Sequence, residues 1–378
     1  MPRQLSTASW VCILLGASLA AGLWAYYRFH SVSSPPELPK VAFAGPSSDL
    51  PTLAVVPTLD TPLPPGKTVL WCSAFALAWR SLCNEVAREP IRLENAQDLA
   101  DRLNASDHAD TDLANGDVLA MAGLARQAFE SRLQRRYRQL FADRPLPTLN
   151  LAANEVAAFA AIKVQQQFQQ RFFANNNPMK FRDVAGQVYP VRSFGIFDHE
   201  QNEGPPRQRL GVEYLSSEEQ RPDEWIVDLD RDSQPYQVLI ARLPPQATFA
   251  QTWADLDAKR AAYSTQQRPA LRLEKLAIPS VSFRLQHRFT ELEGKEKRFL
   301  NPRLAGLHLG LAAQSVEFCL DRHDTPQSSE ATLDIKPSGL VLLAEHPFLV
   351  VMKKRTAPRP FLMLWLATAD FLEKMDGH

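Results

Sequence analysis

The chain has 378 residues, of which 45% are hydrophobic and 22% are charged. This composition is typical of a folded globular protein, and the length allows one large domain or two ordinary ones. The 42 basic and 42 acidic residues give a formal net charge of zero. Because no basic block and no aromatic stacking platform is present, the composition argues against a nucleic-acid-binding protein.

The first apolar segment runs from Trp10 to Tyr27 and is long enough to cross a bilayer. A helix rises 1.5 Å per residue, so this segment would span roughly 27 Å. Aromatic residues stand at both of its ends, as in the interfacial belts of membrane proteins. We therefore predict a transmembrane anchor over residues 10–28, preceded by a short tail at 1–9. A signal peptide cleaved near Ala20 is the open alternative.

A proline-rich stretch follows the predicted anchor. Nine prolines lie between Ser31 and Lys67, and the stretch has no sustained helical or strand period. This composition predicts a semi-rigid linker over residues 29–66 that separates the membrane from a single domain at 67–375. Since the chain before the anchor is short and the chain after it is long, we expect the domain outside the cytoplasm. The domain would be secreted if the anchor is cleaved.

The remaining composition gives no sign of catalytic or metal chemistry. Cys72, Cys83 and Cys319 lie outside the anchor, and an odd number of cysteines argues against a disulfide scaffold. No cysteine pair has the spacing of zinc ligands, so buried free thiols are predicted. The sequence also lacks a nucleophile elbow and a glycine loop that could cradle phosphate. We therefore predict that the protein is not an enzyme and has no cofactor or metal.

The first half of the domain is predicted to mix one strand with several helices. A strand at 68–71 leads into a helix at 72–85, where Phe75, Trp79 and Leu82 recur at helical spacing. A short helix is predicted at 95–103 and a helical region within 117–141. This region contains five interspersed arginines, Arg126, Arg132, Arg135, Arg136 and Arg138. They are interpreted as a solvated helix face, with a binding site as the alternative.

The middle of the domain is predicted to be rich in strands. Residues 188–194 form a strand after a turn at 185–186, and strands at 210–215, 224–229 and 236–241 form a meander in a second sheet. A helix at 248–262 is predicted to have Thr248 as its N-cap. Residues 271–289 alternate apolar with polar side chains and are broken at Pro279, which indicates a strand pair or a bent edge strand.

The C-terminal stretch has the clearest pattern. An extended run at 316–320 leads into a long polar segment, which ends at two dense apolar runs, 347–352 and 360–366. A mostly basic stretch at 353–359 separates these runs and is predicted to be a hairpin turn, with an anion contact as the alternative. The order is therefore a strand, a long exposed loop and a buried hairpin.

This C-terminal stretch resembles the end of the serpins. In that family a strand of the large sheet runs into an exposed reactive loop, which returns to a buried strand pair with a Pro-Phe-Leu signature. The signature is Pro347-Phe348-Leu349 in this chain, and the partner strand is 361–366. The resemblance is strongest to poorly characterised bacterial serpin-like proteins.

The resemblance implies a mixed α+β fold with a large central sheet, smaller sheets and packed helices, preceded by the transmembrane helix. It also implies that residues 156–164 form a long central strand. Local propensity disagrees, because the alanines and glutamines of residues 154–170 favour a helix.

The resemblance places a reactive loop between about residues 322 and 343. An inhibitory serpin inserts this loop into its large sheet after cleavage, so the hinge needs small residues that each have a backbone N–H. Asp324 stands where the family has glycine, and Lys336 is a poor cleavage site for trypsin-like proteases because Pro337 follows it. The candidate loop residues are Asp324, Thr325, Pro326, Ser328, Ser329, Glu330, Lys336 and Pro337.

The hinge composition disfavours insertion. Pro326 would remove one ladder hydrogen bond, and an inserted Glu330 would be buried without a partner. We therefore predict a membrane-tethered, serpin-like module that binds a protein or has a structural role and does not inhibit proteases. An inhibitor of serine or cysteine proteases is the alternative. The expected partners are the membrane and a protein, which could be a protease.

Overall fold

Most strands of this chain assemble into two large sheets that share one apolar core. The structure is a computed structural model, and it describes residues 41–107, 112–113, 116–125, 128–141, 146, 149, 151–165, 168, 172–175, 177–197, 210–265, 272–321 and 339–375. The first nine strands are β1 (Phe43–Pro46), β2 (Leu53–Val56), β3 (Thr68–Cys72), β4 (Val118–Leu124), β5 (Glu155–Gln165), β6 (Phe173–Ala174), β7 (Met179–Arg182), β8 (Val188–Val191) and β9 (Ser193–Ile196).

The later strands are β10 (Gly211–Leu215), β11 (Trp225–Asp228), β12 (Tyr236–Arg242), β13 (Leu273–Pro279), β14 (Val281–Arg288), β15 (His308–Leu320), β16 (Leu340–Leu343), β17 (Phe348–Lys354) and β18 (Pro360–Leu366). The α-helices of the described ranges are α1 (Ala74–Ser81), α2 (Gln97–Asn104), α3 (Phe129–Leu140) and α4 (Phe249–Ser264). A π-helical turn, Leu82–Ala87, continues α1, and short 3-10 turns lie at Ser47–Asp49 and Pro302–Leu304.

The first large sheet has five strands in the order β1-β14-β15-β5-β4. Its neighbouring inner strands β15 and β5 run parallel, in a register that extends from His308 opposite Glu155 to Cys319 opposite Gln165. One face packs on the main core. The opposite face packs on α3 through Phe129, Leu133 and Tyr137. Because the chain covers both faces, these strands are apolar on both sides.

The second large sheet has seven strands in the order β10-β11-β12-β17-β18-β3-β2. The β17–β18 hairpin is antiparallel and lies inside this sheet. Its side chains alternate between the main core and a second cluster that includes α4, so both apolar runs are continuous and buried. The hairpin prediction is confirmed, as is the meander of β10, β11 and β12.

The other two sheets are smaller, with the orders β16-β13-β9-β6 and β7-β8. The prediction for residues 271–289 was wrong in its pairing. β13 lies between β16 and β9, whereas β14 lies between β1 and β15, so neither strand is at an edge and they do not pair with each other. The chain passes from one sheet to the other at Pro279 and Ser280. There the Ser280 N–H still donates to the Arg192 carbonyl, in register with the β13–β9 ladder, before β14 pairs with β15.

The predicted linker at 29–66 is wrong for its second half. β1 pairs in parallel with β14, and β2 pairs in parallel with β3, so the domain begins well before residue 67. Pro51 and Pro57 flank β2 and do not interrupt it. Proline favours extended backbone, so a proline-rich composition was compatible with short strands at sheet edges.

Residues 155–165 form strand β5, as the serpin resemblance implied, and the local helix propensity was overridden. All residues from Val156 to Ile162 are buried, with exposed fractions of 2% or less. Residues 117–141 contain both a strand and a helix, because β4 precedes α3. The prediction of a helical region there was correct only for α3.

The helix predicted at 248–262 is confirmed as α4, and its N-cap is Thr248. The Thr248 Oγ1 accepts a hydrogen bond from the Gln251 N–H at 3.2 Å. The prediction of buried free thiols holds in part: Cys72, Cys83 and Cys319 are free, but Cys72 is buried whereas Cys83 and Cys319 are half-buried. Burial raises the pKa of the Cys72 and Cys319 thiols to about 12, so both are inert at neutral pH.

The anchor predicted at 10–28 lies outside the described residues. Within the described ranges, no helix is both long enough and apolar enough to span a membrane. The anchor therefore stays a prediction.

Candidate functional site

The candidate site is the pairing of β5 with β15, which we call the central seam. β15 ends at Leu320 and the chain returns as β16 at Leu340. The predicted loop residues fall between these points and lie outside the described residues, namely Asp324, Thr325, Pro326, Ser328, Ser329, Glu330, Lys336 and Pro337. The structure describes the strands on either side of the predicted loop, and the candidate site includes the strand that leads into it, β15.

The strand directions at the central seam would allow one more strand to enter. β5 and β15 are parallel neighbours. A segment that turned back after β15 would run antiparallel to β15, and therefore antiparallel to β5 as well. Inserting it would replace one parallel pairing with two antiparallel ones, which is a favourable exchange of ladders. The topology thus agrees with what the serpin resemblance implies.

Both faces of the central seam are closed along its first half. Ala158, Ala160 and Ala312 face the main core, while Phe159 and Ala313 pack under α3. In this half, the side chains on both faces of an inserted strand would therefore be buried.

The second half of the central seam is more open on the α3 side. There Lys163, Glu317 and Cys319 are only half-buried. Near Leu320, a polar side chain of an inserted strand could reach solvent on the α3 side. A side chain inserted farther along the central seam, toward its first half, could not.

A contact between His308 and Glu155 closes the start of the central seam. The Nε2 of His308 lies 3.3 Å from the Glu155 Oε1, and the His308 side chain is only 7% exposed. The other carboxylate oxygen of Glu155 accepts a hydrogen bond from the Ala152 N–H at 2.8 Å. This contact joins β15 to β5 at the first residue of each strand. Any separation of the two strands would have to break it.

The middle of the five-stranded sheet contains buried polar groups without partners in the described chain. Gln314 is 1% exposed, and neither atom of its side-chain amide has a hydrogen-bond partner among the described residues. It lies opposite Ala160 on β5 and opposite His287 on β14. The hydroxyl of Ser73, at the start of α1, is likewise buried and unsatisfied within the described ranges.

His287 has one satisfied and one unsatisfied ring nitrogen. Its Nδ1 lies 2.7 Å from the Ser47 hydroxyl, whereas its Nε2 has no partner in the described part of the chain. Burial lowers the pKa of His287 to about 4, so the ring is neutral at pH 7. Sequence analysis did not select His287 or Gln314. The available signal was a polar residue at a core-facing position of an otherwise apolar strand.

The basic turn of the β17–β18 hairpin serves the fold, which disfavours the alternative of an anion contact. The Arg355 guanidinium donates to the Asp228 carboxylate, at 3.0 Å from Nη1, and to the backbone carbonyls of Asp230 and Ser233. The Lys353 ammonium donates to carbonyls of the same turn, the nearest being that of Ala357 at 2.8 Å. Both cations are therefore already occupied by groups of this chain.

The described residues contain no group of three histidine, cysteine or acidic side chains that could hold a metal ion. At the start of the central seam the Glu155 carboxylate contacts the His308 ring across the two strands. The site is therefore a parallel strand pair that is joined at its start by the His308–Glu155 contact and is covered on both faces over half its length.

The sequence matches no protein-family model, and no curated protein matches it. Among solved structures, the thermophilic serpin Tengpin in its native state has a TM-score of 0.50 and 10% identity, covering 86% of this chain and 100% of that chain. Human thyroxine-binding globulin complexed with thyroxine has a TM-score of 0.47 and 10% identity, covering 80% and 92%. Serpin48 of the insect Tenebrio molitor has a TM-score of 0.46 and 11% identity, covering 80% and 92%.

At these identities the likeness concerns the fold alone, and the Tengpin comparison, with its TM-score of 0.50, supports it. The particular similarity to bacterial serpin-like proteins stays a prediction. The chain has a serpin fold, as its C-terminal stretch predicted.

Proposed function

We propose that this chain is a membrane-tethered serpin-like protein that acts outside the cytoplasm as a protein-binding or structural module and does not inhibit proteases. The observation that supports this most is the burial of both faces along the first half of the central seam. A loop strand entering from the Leu320 end would carry Glu330 toward that half. There its carboxylate would lose water without gaining a partner.

The energetic balance at the hinge supports the same conclusion. Pro326 lacks the N–H that an interior strand donates, and a lost ladder bond costs about 1 kcal/mol. Burying the Glu330 carboxylate without a partner would cost several kcal/mol more. Insertion must also break the His308–Glu155 contact. Together these costs oppose the gain from the backbone hydrogen bonds that an inserted strand would form with β5 and β15.

The test is thermal unfolding of the full chain, kept in detergent because of the predicted anchor. The loop between 322 and 338 is cut with a broad-specificity protease, and intact and nicked proteins are compared. We expect the nicked protein to melt no higher than the intact one. A matched variant, Pro326→Ala with Glu330→Ala, removes both obstacles and is expected to show a larger change on nicking than the wild type. A rise of tens of degrees in the nicked wild type would contradict the proposal.

A protease inhibitor is the second candidate, and the parallel direction of β5 and β15 is the observation in its favour. The two candidates differ in their product with a protease. An inhibitor forms a complex with its target that survives denaturing electrophoresis, whereas a non-inhibitory loop is released as cleaved fragments. A stable complex with any serine or cysteine protease would select the inhibitor.

The membrane part of the proposal is supported by the apolar segment at 10–28. We expect the full chain to remain in the membrane fraction after extraction at alkaline pH, and a variant lacking residues 10–28 to be released. A cleaved signal peptide would instead give a shortened, released protein, which terminal sequencing would identify.

A further inference from the structure

One edge of the five-stranded sheet is formed by β4, whose neighbour in the described chain is β5. The Lys163 N–H donates to the Asp117 carbonyl at 3.0 Å, which fixes the hydrogen-bonded pairs of this ladder. Such pairs alternate along an antiparallel ladder. Every second residue of β4 therefore points its backbone N–H and C=O away from β5, namely Val118, Ala120, Ala122 and Leu124. Nothing in the described ranges pairs with these groups.

Arginines of α3 stand beside this edge. Arg132, Arg135 and Arg136 line a cavity of about 300 Å³ between α3, β4 and the end of α1. All three are exposed, and within the described chain none forms an ion pair with a carboxylate. A Cβ on Gly123 would lie 3.1 Å from the Arg132 Nη2, so this guanidinium reaches the backbone of β4 because residue 123 has no side chain.

The opposite wall of the cavity has a different charge. Glu85 is the carboxylate among the lining residues, and it accepts a hydrogen bond from the Ser81 hydroxyl at 2.9 Å. Glu85 lies on the π-helical turn after α1, across the edge of β4 from α3. The edge is therefore flanked by three cations on one side and by one engaged anion on the other.

We propose that the β4 edge is a docking site for an extended acidic segment of a partner protein, which pairs with β4 as an additional strand. Side chains of a strand alternate between its two faces, so every second residue of the segment would face α3. Acidic residues at those positions would form ion pairs with the three arginines. Uncharged residues would occupy the alternate positions, which face Ser81 and Glu85. This inference goes beyond the proposed function, because it does not involve the loop after β15.

Charge decides between this occupant and a second copy of the chain. Pairing two β4 edges would bring two sets of the three cavity-lining arginines together, and like charges across neighbouring strands are destabilising. An acidic segment gains ion pairs from the same arginines and hydrogen bonds from the unpaired backbone. A polyanion such as a nucleic acid or a sulfated glycan would use the arginines alone.

The experiment measures binding of a fluorescent peptide of about seven residues, a usual strand length, to the full chain. The peptide alternates glutamate with valine. A second peptide has the same sequence with N-methyl groups on alternate residues, so it keeps the charge but cannot complete a ladder. We expect the first peptide to bind and the second to bind at least about tenfold more weakly, because several backbone hydrogen bonds are lost.

Variants then test the arginines. The triple change Arg132→Gln, Arg135→Gln and Arg136→Gln should weaken binding of the first peptide by at least about threefold, since exposed ion pairs are individually weak. Arg138→Gln is the matched control, because Arg138 is exposed on the same helix but does not line the cavity. Ala122→Pro removes an outward N–H of β4 and should also weaken binding.

Three results would overturn the proposal. If the first peptide does not bind, the arginines only shield the sheet edge. If the N-methylated peptide binds equally well, the site attracts anions without strand pairing, and a polyanion is the better occupant. If the triple variant binds as the wild type does, the peptide binds elsewhere. The comparison of the two peptides uses wild-type protein, so it remains decisive even if a variant misfolds.

Discussion

The two large sheets of this protein differ in whether their buried polar groups have hydrogen-bond partners. In the seven-stranded sheet, Gln237 is 6% exposed and donates to the Asp228 carboxylate at 2.8 Å. Arg355 and Ser233 complete the network around that carboxylate. In the five-stranded sheet, Gln314 is 1% exposed and has no hydrogen-bond partner within the described chain. A buried glutamine thus donates to a carboxylate in one sheet, whereas the buried glutamine of the other sheet has no partner among the described residues.

The contrast is not complete, because the indole N–H of Trp225 in the seven-stranded sheet also lacks a partner among the described residues. The five-stranded sheet nevertheless carries more such groups, with Gln314, the His287 Nε2 and the nearby Ser73 hydroxyl on one face. Unsatisfied buried polar groups lower stability. We infer that the five-stranded sheet is the weaker of the two, and that the seven-stranded sheet is the stable frame.

The largest expected effect comes from breaking the satisfied network. Arg355→Met would leave the Asp228 carboxylate, 1% exposed, without its cation. Removing one partner of a buried ion pair typically costs about 3–5 kcal/mol. We expect the free energy of unfolding in urea to fall by that amount. Arg359→Met, at an exposed arginine of the same turn, is the control and should change it little.

The second prediction concerns the glutamine of the seven-stranded sheet. Gln237→Met keeps the side-chain volume but removes a donor to a charged acceptor, which should destabilise the protein by about 1.5–3 kcal/mol. Urea unfolding followed by tryptophan fluorescence measures the change. An unchanged midpoint would mean that Asp228 is satisfied without Gln237.

The same substitution in the other sheet should have the opposite sign. Gln314→Met removes a buried amide that has no partner in the described chain, and this should stabilise the protein by about 1–2 kcal/mol. Differential scanning calorimetry of the two methionine variants, side by side, is the direct test. A loss of stability in Gln314→Met would show that the amide is satisfied and would remove the contrast between the sheets.

The smallest prediction is a pH dependence from His287. Burial lowers its folded-state pKa to about 4, below the ordinary value of 6.5, so the unfolded chain binds the proton more readily. The stability from the neutral ring is complete above pH 6.5 and is lost as the pH falls toward 4. Between pH 7 and pH 5 the expected loss is about 1–2 kcal/mol.

The measurement for His287 is the urea midpoint at pH 7 and pH 5. His287→Gln should reduce the difference between the two midpoints, because no proton can then bind at this position. His346→Gln, which removes a histidine outside the sheets, is the matched control. If both variants keep the wild-type difference, another group carries the pH dependence.

The regions of the fold that were predictable are those whose local pattern agrees with their surroundings. The β17–β18 hairpin is buried on both faces, so its sequence is apolar throughout and its basic turn interrupts the run visibly. Helix α4 has a capping threonine followed by residues at helical spacing. In both cases the chain itself carries the boundary signals, and neither depends on a distant segment.

Other regions have a local pattern that does not reveal their structure, because their state depends on distant partners. β5 has a helix-favouring composition, yet it is a strand because β15 and β4 pair with it on its two sides. β1 and β2 lie in a proline-rich stretch. They are strands because β1 pairs with β14 and β2 pairs with β3 at the edges of the two large sheets. β13 and β14 follow each other in the chain, yet they lie in different sheets because each pairs with distant strands.

By itself, the sequence determined the buried hairpin, the meander, the capped helix and the resemblance to serpins, because these follow from local periodicity and from one short signature. Only the tertiary structure decided which polar groups are satisfied. The partners of Gln237 and Gln314 are set by the register of strands far apart in the chain, and a shift of one residue would move either side chain to the opposite face. The register of β4 on β5 likewise decides which backbone groups of β4 point away from β5, beside the three arginines of α3 that line the cavity.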